Sequence, residues 1–172
     1  MVTLLRRGSA ISLGVAGRLN SVDQRVQIGA DVLAHVRRHR QTSARATEAG
    51  GQLFGTITPE QVHVSRATGP YPRDERSRYR YRSDPASAQR AIHQQSQAGL
   101  LYLGEWHTHA EDCPNASSLD DDAMRLILER SQLNSNALLM LIVGRNTTVA
   151  GLALWTVAAE QVHQWSLEAL HA

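Results

Sequence analysis

Apolar residues recur along this chain with two different periods, and the switches between them mark out its elements. Val32, Leu33 and Val36 sit at helical spacing within Ala30–His39, and Arg37, Arg38 and Arg40 load the end of that stretch, where cations suit the helix dipole. The spacing predicts a short amphipathic helix. After Gly50-Gly51 the period shortens to two. Gln52–Thr58, a turn at Pro59-Glu60 and Gln61–Ser65 read as a β-hairpin, with Leu53, Gly55 and Ile57 on one face and Val62 and Val64 on the returning strand. Pro70–Arg76 is rich in turn residues. Arg73, Arg76, Arg78, Arg80 and Arg82 then alternate with Tyr79 and Tyr81, which suggests a short extended segment.

Ser83 or Asp84 can cap a helix over Pro85–Gln97, with Pro85 at a tolerated first-turn position and Gly99 closing it. Leu100–His109 reads as a strand, apolar at its start as a central strand would be. A polar loop, Ala110–Ala116, leads to Ser117 and a helix over Leu119–Arg130, patterned by Ala123, Leu126 and Ile127. Ala137–Val143, Val149–Val157 and Gln161–Leu167 are predicted strands. Residues 1–25 are weakly patterned; Ile11–Val15 is their best strand candidate, and Val26–Ile28 leads into the first helix. Strands and helices mix without strict alternation, and no repeat, low-complexity tract or linker divides them. The expectation is one α+β domain over residues 1–172, a central mixed and mostly antiparallel sheet flanked by helices.

Composition narrows the classes. Net charge is only +2, which argues against a dominant nucleic-acid face. All 18 basic residues are arginine. Codon usage explains that simply; a sharper reading is a chain that works beside a lysine-modifying system and offers no acceptor of its own. The single cysteine, Cys113, excludes an internal disulfide and fits a reducing compartment. Arg6 and Arg7 before Ala10–Gly17 imitate a secretory signal, but the stretch is short, interrupted by Ser and Gly, and lacks a clean cleavage site. No apolar run approaches the ~20 residues that span a bilayer, so a cytoplasmic protein is expected.

The chemistry gathers at one stretch. On a strand, residues two apart share a face, so His107 and His109 project together while Thr108 points away. Asp120 offers a carboxylate in the first turn of its helix. Three such ligands leave one zinc coordination position for water. Two plainer readings compete: Ser117 and Asp120 have the spacing of a capping box, and a His-x-His pair can arise by chance in a chain with 8 histidines. The other six, His35, His39, His63, His93, His163 and His171, have no comparable context. Glu105 shares the histidine face by parity, and Asp121 and Asp122 adjoin Asp120.

The spacing His107-x-His109, seven intervening residues, Ser117, two more and Asp120 resembles the signature of the JAMM (MPN+/JAB) zinc metalloproteases. Members of that family carry an upstream glutamate beside Gly-Gly and an apolar strand, and Glu48-Ala-Gly-Gly-Gln-Leu-Phe-Gly55 looks like that element. The resemblance covers nearly the whole chain and implies a JAB/MPN-like domain. It implies that His107, His109 and Asp120 bind Zn2+, that Glu48 serves as general base and then acid, and that Ser117 hydrogen-bonds the oxyanion. The family commonly has proline after the second histidine and before the serine; Ala110 and Ala116 stand there instead, with Pro114 between them. Cys113 in the same loop could act as a regulatory fourth ligand or be incidental.

Gly104–His109 is most similar to the bacterial branch found beside ubiquitin-like transfer enzymes in antiphage (CBASS) operons, whose deconjugase frees a cyclic nucleotide synthase from its targets. The resemblance thus implies hydrolysis of an amide or isopeptide bond after the extended C-terminal tail of a ubiquitin-like protein or nucleotide synthase conjugate, with E1/E2-like transfer enzymes as partners and no membrane. Residues 73–83 and 110–116 are the expected tail contacts. Two alternatives stand: a DNA-repair-type relative that binds nucleic acid through the Arg/Tyr segment, and a non-catalytic scaffold.

Overall fold

A computed structural model describes residues 12–19, 22–130 and 136–171, so Arg6, Arg7 and Ile11 lie outside it. In chain order it forms β1 (Ser12–Leu19), β2 (Val22–Gly29), α1 (Ala30–Arg37), β3 (Gly50–Ile57), β4 (Gln61–Ala67), β5 (Glu75–Ser77) and β6 (Arg80–Arg82). Then follow α2 (Pro85–Gln97), β7 (Leu101–Thr108), α3 (Ser118–Arg130), β8 (Ala137–Val143), a 3-10 turn over Val149–Gly151, β9 (Leu152–Ala158), β10 (Val162–Gln164) and β11 (Ser166–His171).

Nine strands make one sheet in the order β10-β9-β8-β7-β3-β4-β2-β1-β11. The β2–β4 and β7–β8 pairs are parallel and the others antiparallel, which makes the fold α+β with a mixed, mostly antiparallel sheet, as expected. The two end strands are halves of one continuous segment bent at Trp165. The first half pairs with β9, the Trp165 amide reaches the Leu154 carbonyl at 2.9 Å, and the second half pairs with β1. The sheet therefore curls round toward closure.

Alternation along β8 divides the core. Leu139, Leu141 and Val143 join Val32, Leu33 and Val36 of α1, with Val26, Ile28, Leu53, Trp106 and Trp165. Leu138, Met140 and Ile142 face the other way, onto Met124 of α3 with Trp155 and Val157. A strand buried on both faces is why Ala137–Val143 is an unbroken apolar run. The α2 helix, capped by the Asp84 carboxylate on the Ser87 amide, packs on β3 and β7.

Four expectations are modified. Val22–Gly29 is a full strand, because parallel pairing with β4 sets Val26 beside Val62 and Ile28 beside Val64. The Arg/Tyr stretch is a small separate hairpin, β5–β6, rather than one extended segment. Val149–Gly151 turns before β9 begins, its first amides held by Thr148. Gln161–Leu167 splits at the Trp165 bend.

Candidate metal centre

The parallel β7–β8 register sets His107 beside Ile142, so the histidine face of β7 is the face that α3 covers. Its neighbours Trp106 and Thr108 are fully buried on the opposite side. Parity thus delivers His107 and His109 together: their Nε2 atoms are 3.1 Å apart, with ring centroids 4.8 Å apart. Asp120, in the first turn of α3, completes the group, with Oδ1 3.1 Å from His107 Nε2 and Oδ2 3.5 Å from His109 Nε2. The three ligand atoms lie within 4.8 Å of one another, a group able to hold a metal ion.

Ligands about 2.0–2.2 Å from a tetrahedral zinc ion stand about 3.3–3.6 Å from each other. The 3.5 Å between Asp120 and His109 falls in that range and the 3.1 Å between Asp120 and His107 falls just short of it, and two nitrogens with one carboxylate are a donor set that suits zinc. Burial alone would raise the Asp120 carboxyl, but hydrogen bonds and charge from His107 and His109, with the Ser117 hydroxyl, outweigh it and hold the group well below the usual carboxylate range. Burial likewise opposes the charged form of His109, and Asp120, Glu48 and Glu111 overcome it and hold the imidazole above its ordinary value.

Ser117 is the capping residue that its spacing from Asp120 suggested. Its amide and hydroxyl each donate to Asp120 Oδ2 at 2.7 Å, and its Oγ accepts from the Asp120 amide at 3.2 Å, which is a capping box with Asp at the third helical position. The same bonds aim the carboxylate at the histidines.

Glu48 arrives from the other side. The β3–β7 ladder pairs Gly50 with His107, and the bond from the Thr108 amide to the Ala49 carbonyl (2.8 Å) carries it one residue further. Glu48 is thereby set across from His109, and its carboxyl feels the charges of His109 and Asp120. It is 7% exposed. Burial is the main reason that its pKa is pushed up to about 7; His109 lowers it and Asp120 raises it further. Its backbone is clamped, with the amide donating to the Ser77 carbonyl at 2.7 Å and the carbonyl accepting from Arg76 Nε at 2.6 Å.

The two glycines that follow have a steric purpose. A Cβ on Gly50 would sit 2.4 Å from the Tyr81 ring and 2.6 Å from the Trp106 carbonyl oxygen, and one on Gly51 would sit 1.8 Å from the Thr68 carbonyl oxygen. Bare backbone lets the β5–β6 hairpin and the Thr68–Gly69 bend close directly over β3.

Sequence reasoning passed over Thr108 and Gln41. Thr108 Oγ1 accepts the Ala49 amide at 2.9 Å and donates to Gln41 Oε1 at 3.4 Å, and the Gln41 amide group donates to the Ala46 and Arg78 carbonyls. Parity could have marked Thr108 as an inward hydroxyl; Gln41 carried no signal. Glu105 belongs to a different group. It accepts from the Tyr102 hydroxyl and from Gln52, and burial pushes it up to about 8 against those bonds. Cys113 is exposed and stands outside the three-ligand group. Among the described residues no helix is long and apolar enough to cross a membrane.

The profile of prokaryotic homologs of the JAB domain matches residues 29–166. A protein of Pseudomonas aeruginosa (strain BWHPSA011 / Pa011), named CD-NTase/cGAS isopeptidase, is 37% identical over 113 residues, covering 64% of this chain and 71% of its own. A protein of the same name from Escherichia coli (strain TW11681) is 31% identical over 130 residues, covering 74% and 81%. The solution structure of protein DSY2949 from Desulfitobacterium hafniense superposes with a TM-score of 0.58 at 19% identity, over 81% of this chain and 88% of the other, a likeness of fold.

Proposed function

Because the chain belongs to the prokaryotic JAB-domain family, we propose that it is a zinc-dependent isopeptidase that cuts the amide bond after the C-terminal tail of a conjugated protein. The relatives' name, CD-NTase/cGAS isopeptidase, supports a nucleotide synthase conjugate as substrate. The observation that carries the reading is the meeting of the His107–His109–Asp120 group with Glu48, a buried carboxyl raised to about 7 beside it.

His107, His109 and Asp120 would hold the zinc, which when bound polarises a substrate carbonyl and makes water acidic at neutral pH. Glu48 takes the proton from the attacking water and returns it to the leaving amine; a carboxyl near pH 7 suits both transfers. The clamp on its backbone and its buried setting keep it from bulk water. Ser117 is held beside Asp120 by its amide as well as its hydroxyl, and would turn the hydroxyl proton from the carboxylate to the oxyanion of the tetrahedral intermediate. An extended tail can add as a strand at the hairpin Glu75–Arg82, beside Glu48. Antiphage conjugation, with transfer enzymes as partners, and a cytoplasmic location, consistent with the free Cys113, complete the proposal.

The Arg/Tyr segment gives little support to nucleic-acid binding. Arg76 and Arg78 are committed to the Glu48, Ser43 and Ala44 carbonyls, and Tyr81 packs over Gly50. The deciding experiment compares wild type and Glu48→Gln on a tail-fused substrate. The variant is expected to keep stoichiometric zinc and lose cleavage; retained cleavage removes Glu48 from the mechanism.

A further inference from the structure

His107 and His109 stand on a rigid central strand, but Asp120 reaches them only through the loop Ala110–Ser117. That loop is short of its own anchors: Glu111, Asp112, Cys113 and Asn115 are exposed, and alanines flank it at 110 and 116. Its position is fixed instead by the turn after β8. The His109 amide donates to the Val143 carbonyl at 3.0 Å; the Arg145 amide donates to the Glu111 carbonyl at 2.6 Å, and the Asn146 amide to the Asp112 carbonyl at 3.3 Å. The Arg145 guanidinium then closes on the Asp112 carboxylate, Nε to Oδ1 at 2.9 Å.

The turn is itself held from behind. Arg40, just past α1, donates through Nη1 to the Arg145 carbonyl at 2.5 Å. Gly144 lies so close to the loop that a Cβ there would stand 2.6 Å from the Glu111 carbonyl oxygen and 2.7 Å from Pro114 Cδ, and Pro114 is the buried residue of the loop. From this arrangement we infer that Arg145 is a positioning residue of the metal centre. With Asp112 it forms a clip that holds the loop in the shape which presents Asp120 to the two histidines. Glu111, whose carbonyl the clip fixes, carries a carboxylate that accepts from the Asn115 amide at 3.3 Å and lies 3.8 Å from His109 Nδ1, the imidazole nitrogen turned away from Asp120. The clip therefore bears on two of the three ligands without touching the metal.

An exposed ion pair adds little to global stability. A surface loop opens locally, however, at far lower free energy than the whole fold, and there the same pair sets how often the loop lets go. The clip should therefore govern metal release more than melting.

The inference rests on the zinc reading, and its test is arranged to tell the two apart. Full-length wild type, Arg145→Ala, Arg145→Lys, Asp112→Asn and the Arg145→Ala/Asp112→Asn pair are loaded with zinc, and release to a chromophoric chelator is timed. Melting of each metal-free protein is measured alongside. Arg145→Ala is expected to release zinc about fivefold to tenfold faster at an unchanged metal-free melting temperature. Arg145→Lys should recover most of that loss, and the double variant should be no faster than the faster single. Wild-type release rates in both single variants, or fully additive effects, overturn the clip. If Arg145→Ala fails to fold, Asp112→Asn decides by the same measure. A wild-type chain that takes up no zinc overturns the metal reading itself, and the clip with it.

Discussion

Thr108→Val changes one buried oxygen for a methyl and nothing else in shape, so its effect can be worked from the contacts. The Thr108 side chain is fully buried, and its Oγ1 is the partner of the Ala49 amide, itself in a fully buried residue. Valine leaves that amide without a partner where water cannot replace it, at a cost of about 1–3 kcal/mol. The weaker donation to Gln41, at 3.4 Å, disappears too but adds little. For a chain of this size each kcal/mol lowers the melting temperature by about 2–4 °C, so a fall of about 2–12 °C is expected. The second consequence is chemical. Ala49 follows Glu48, and loosening its amide frees the carboxyl to drift from His109. Turnover should then fall with little change in KM, while zinc affinity stays near wild type because the three ligands remain. Thr108→Ser keeps the oxygen and should restore most of both losses. Urea unfolding of the metal-free chain and single-turnover cleavage measure them separately. A valine variant as stable as wild type would refute the burial argument; one that is destabilised but cleaves at the full rate would refute the link to Glu48.

Other outcomes follow from equally specific contacts. Gly51→Ala drives a Cβ to 1.8 Å from the Thr68 carbonyl oxygen, and since both sides are backbone it should cost about 3 kcal/mol or more in thermal melts; a normal melt would mean that the bend over β3 yields freely. Burial, then the charges of His35, Arg38 and Arg76, hold the His39 imidazole below its ordinary value. The unfolded chain therefore binds that proton more readily, and the stability contributed above about pH 6.5 is lost as pH falls below it. The wild-type melting temperature should drop more steeply between pH 7 and 5 than that of His39→Gln; parallel curves would contradict this. Zinc at a hundred times its dissociation constant should stabilise the fold by about 2.7 kcal/mol, and a chelator should reverse the gain; an unchanged melt would deny the site a metal.

Some of this was readable before any coordinates. The shared face of His107 and His109 depends on strand parity, a local rule, and that rule placed them together. The α2 helix and its Asp84 cap were equally local. The β2 strand was hidden because its two buried residues, Val26 and Ile28, show as a strand only when β4 lies alongside. The β5–β6 hairpin was hidden for a related reason: Tyr81 packs inward over Gly50, 31 positions earlier in the sequence, and no local pattern announces that. For the site, sequence named Glu48 but not its buried setting, which comes from β3 pairing with β7. The contacts between Asp112 and Arg145 join residues 33 positions apart and leave no periodic trace.

The curl of the sheet bears on how the domain can be cut. The range matched by the family, residues 29–166, ends where β11 begins and starts at the last residue of β2. Trimming to those limits would remove β1, nearly all of β2 and nearly all of β11, and with them Val15, Val26 and Ile28, which are 2%, 0% and 0% exposed. It would also leave β4, still paired with β3, as a bare sheet edge along Gln61–Val64, an invitation to edge-to-edge association. The part of the chain that carries the likeness and the part that can stand alone are different lengths, and the expression boundary belongs outside Ser12 and His171.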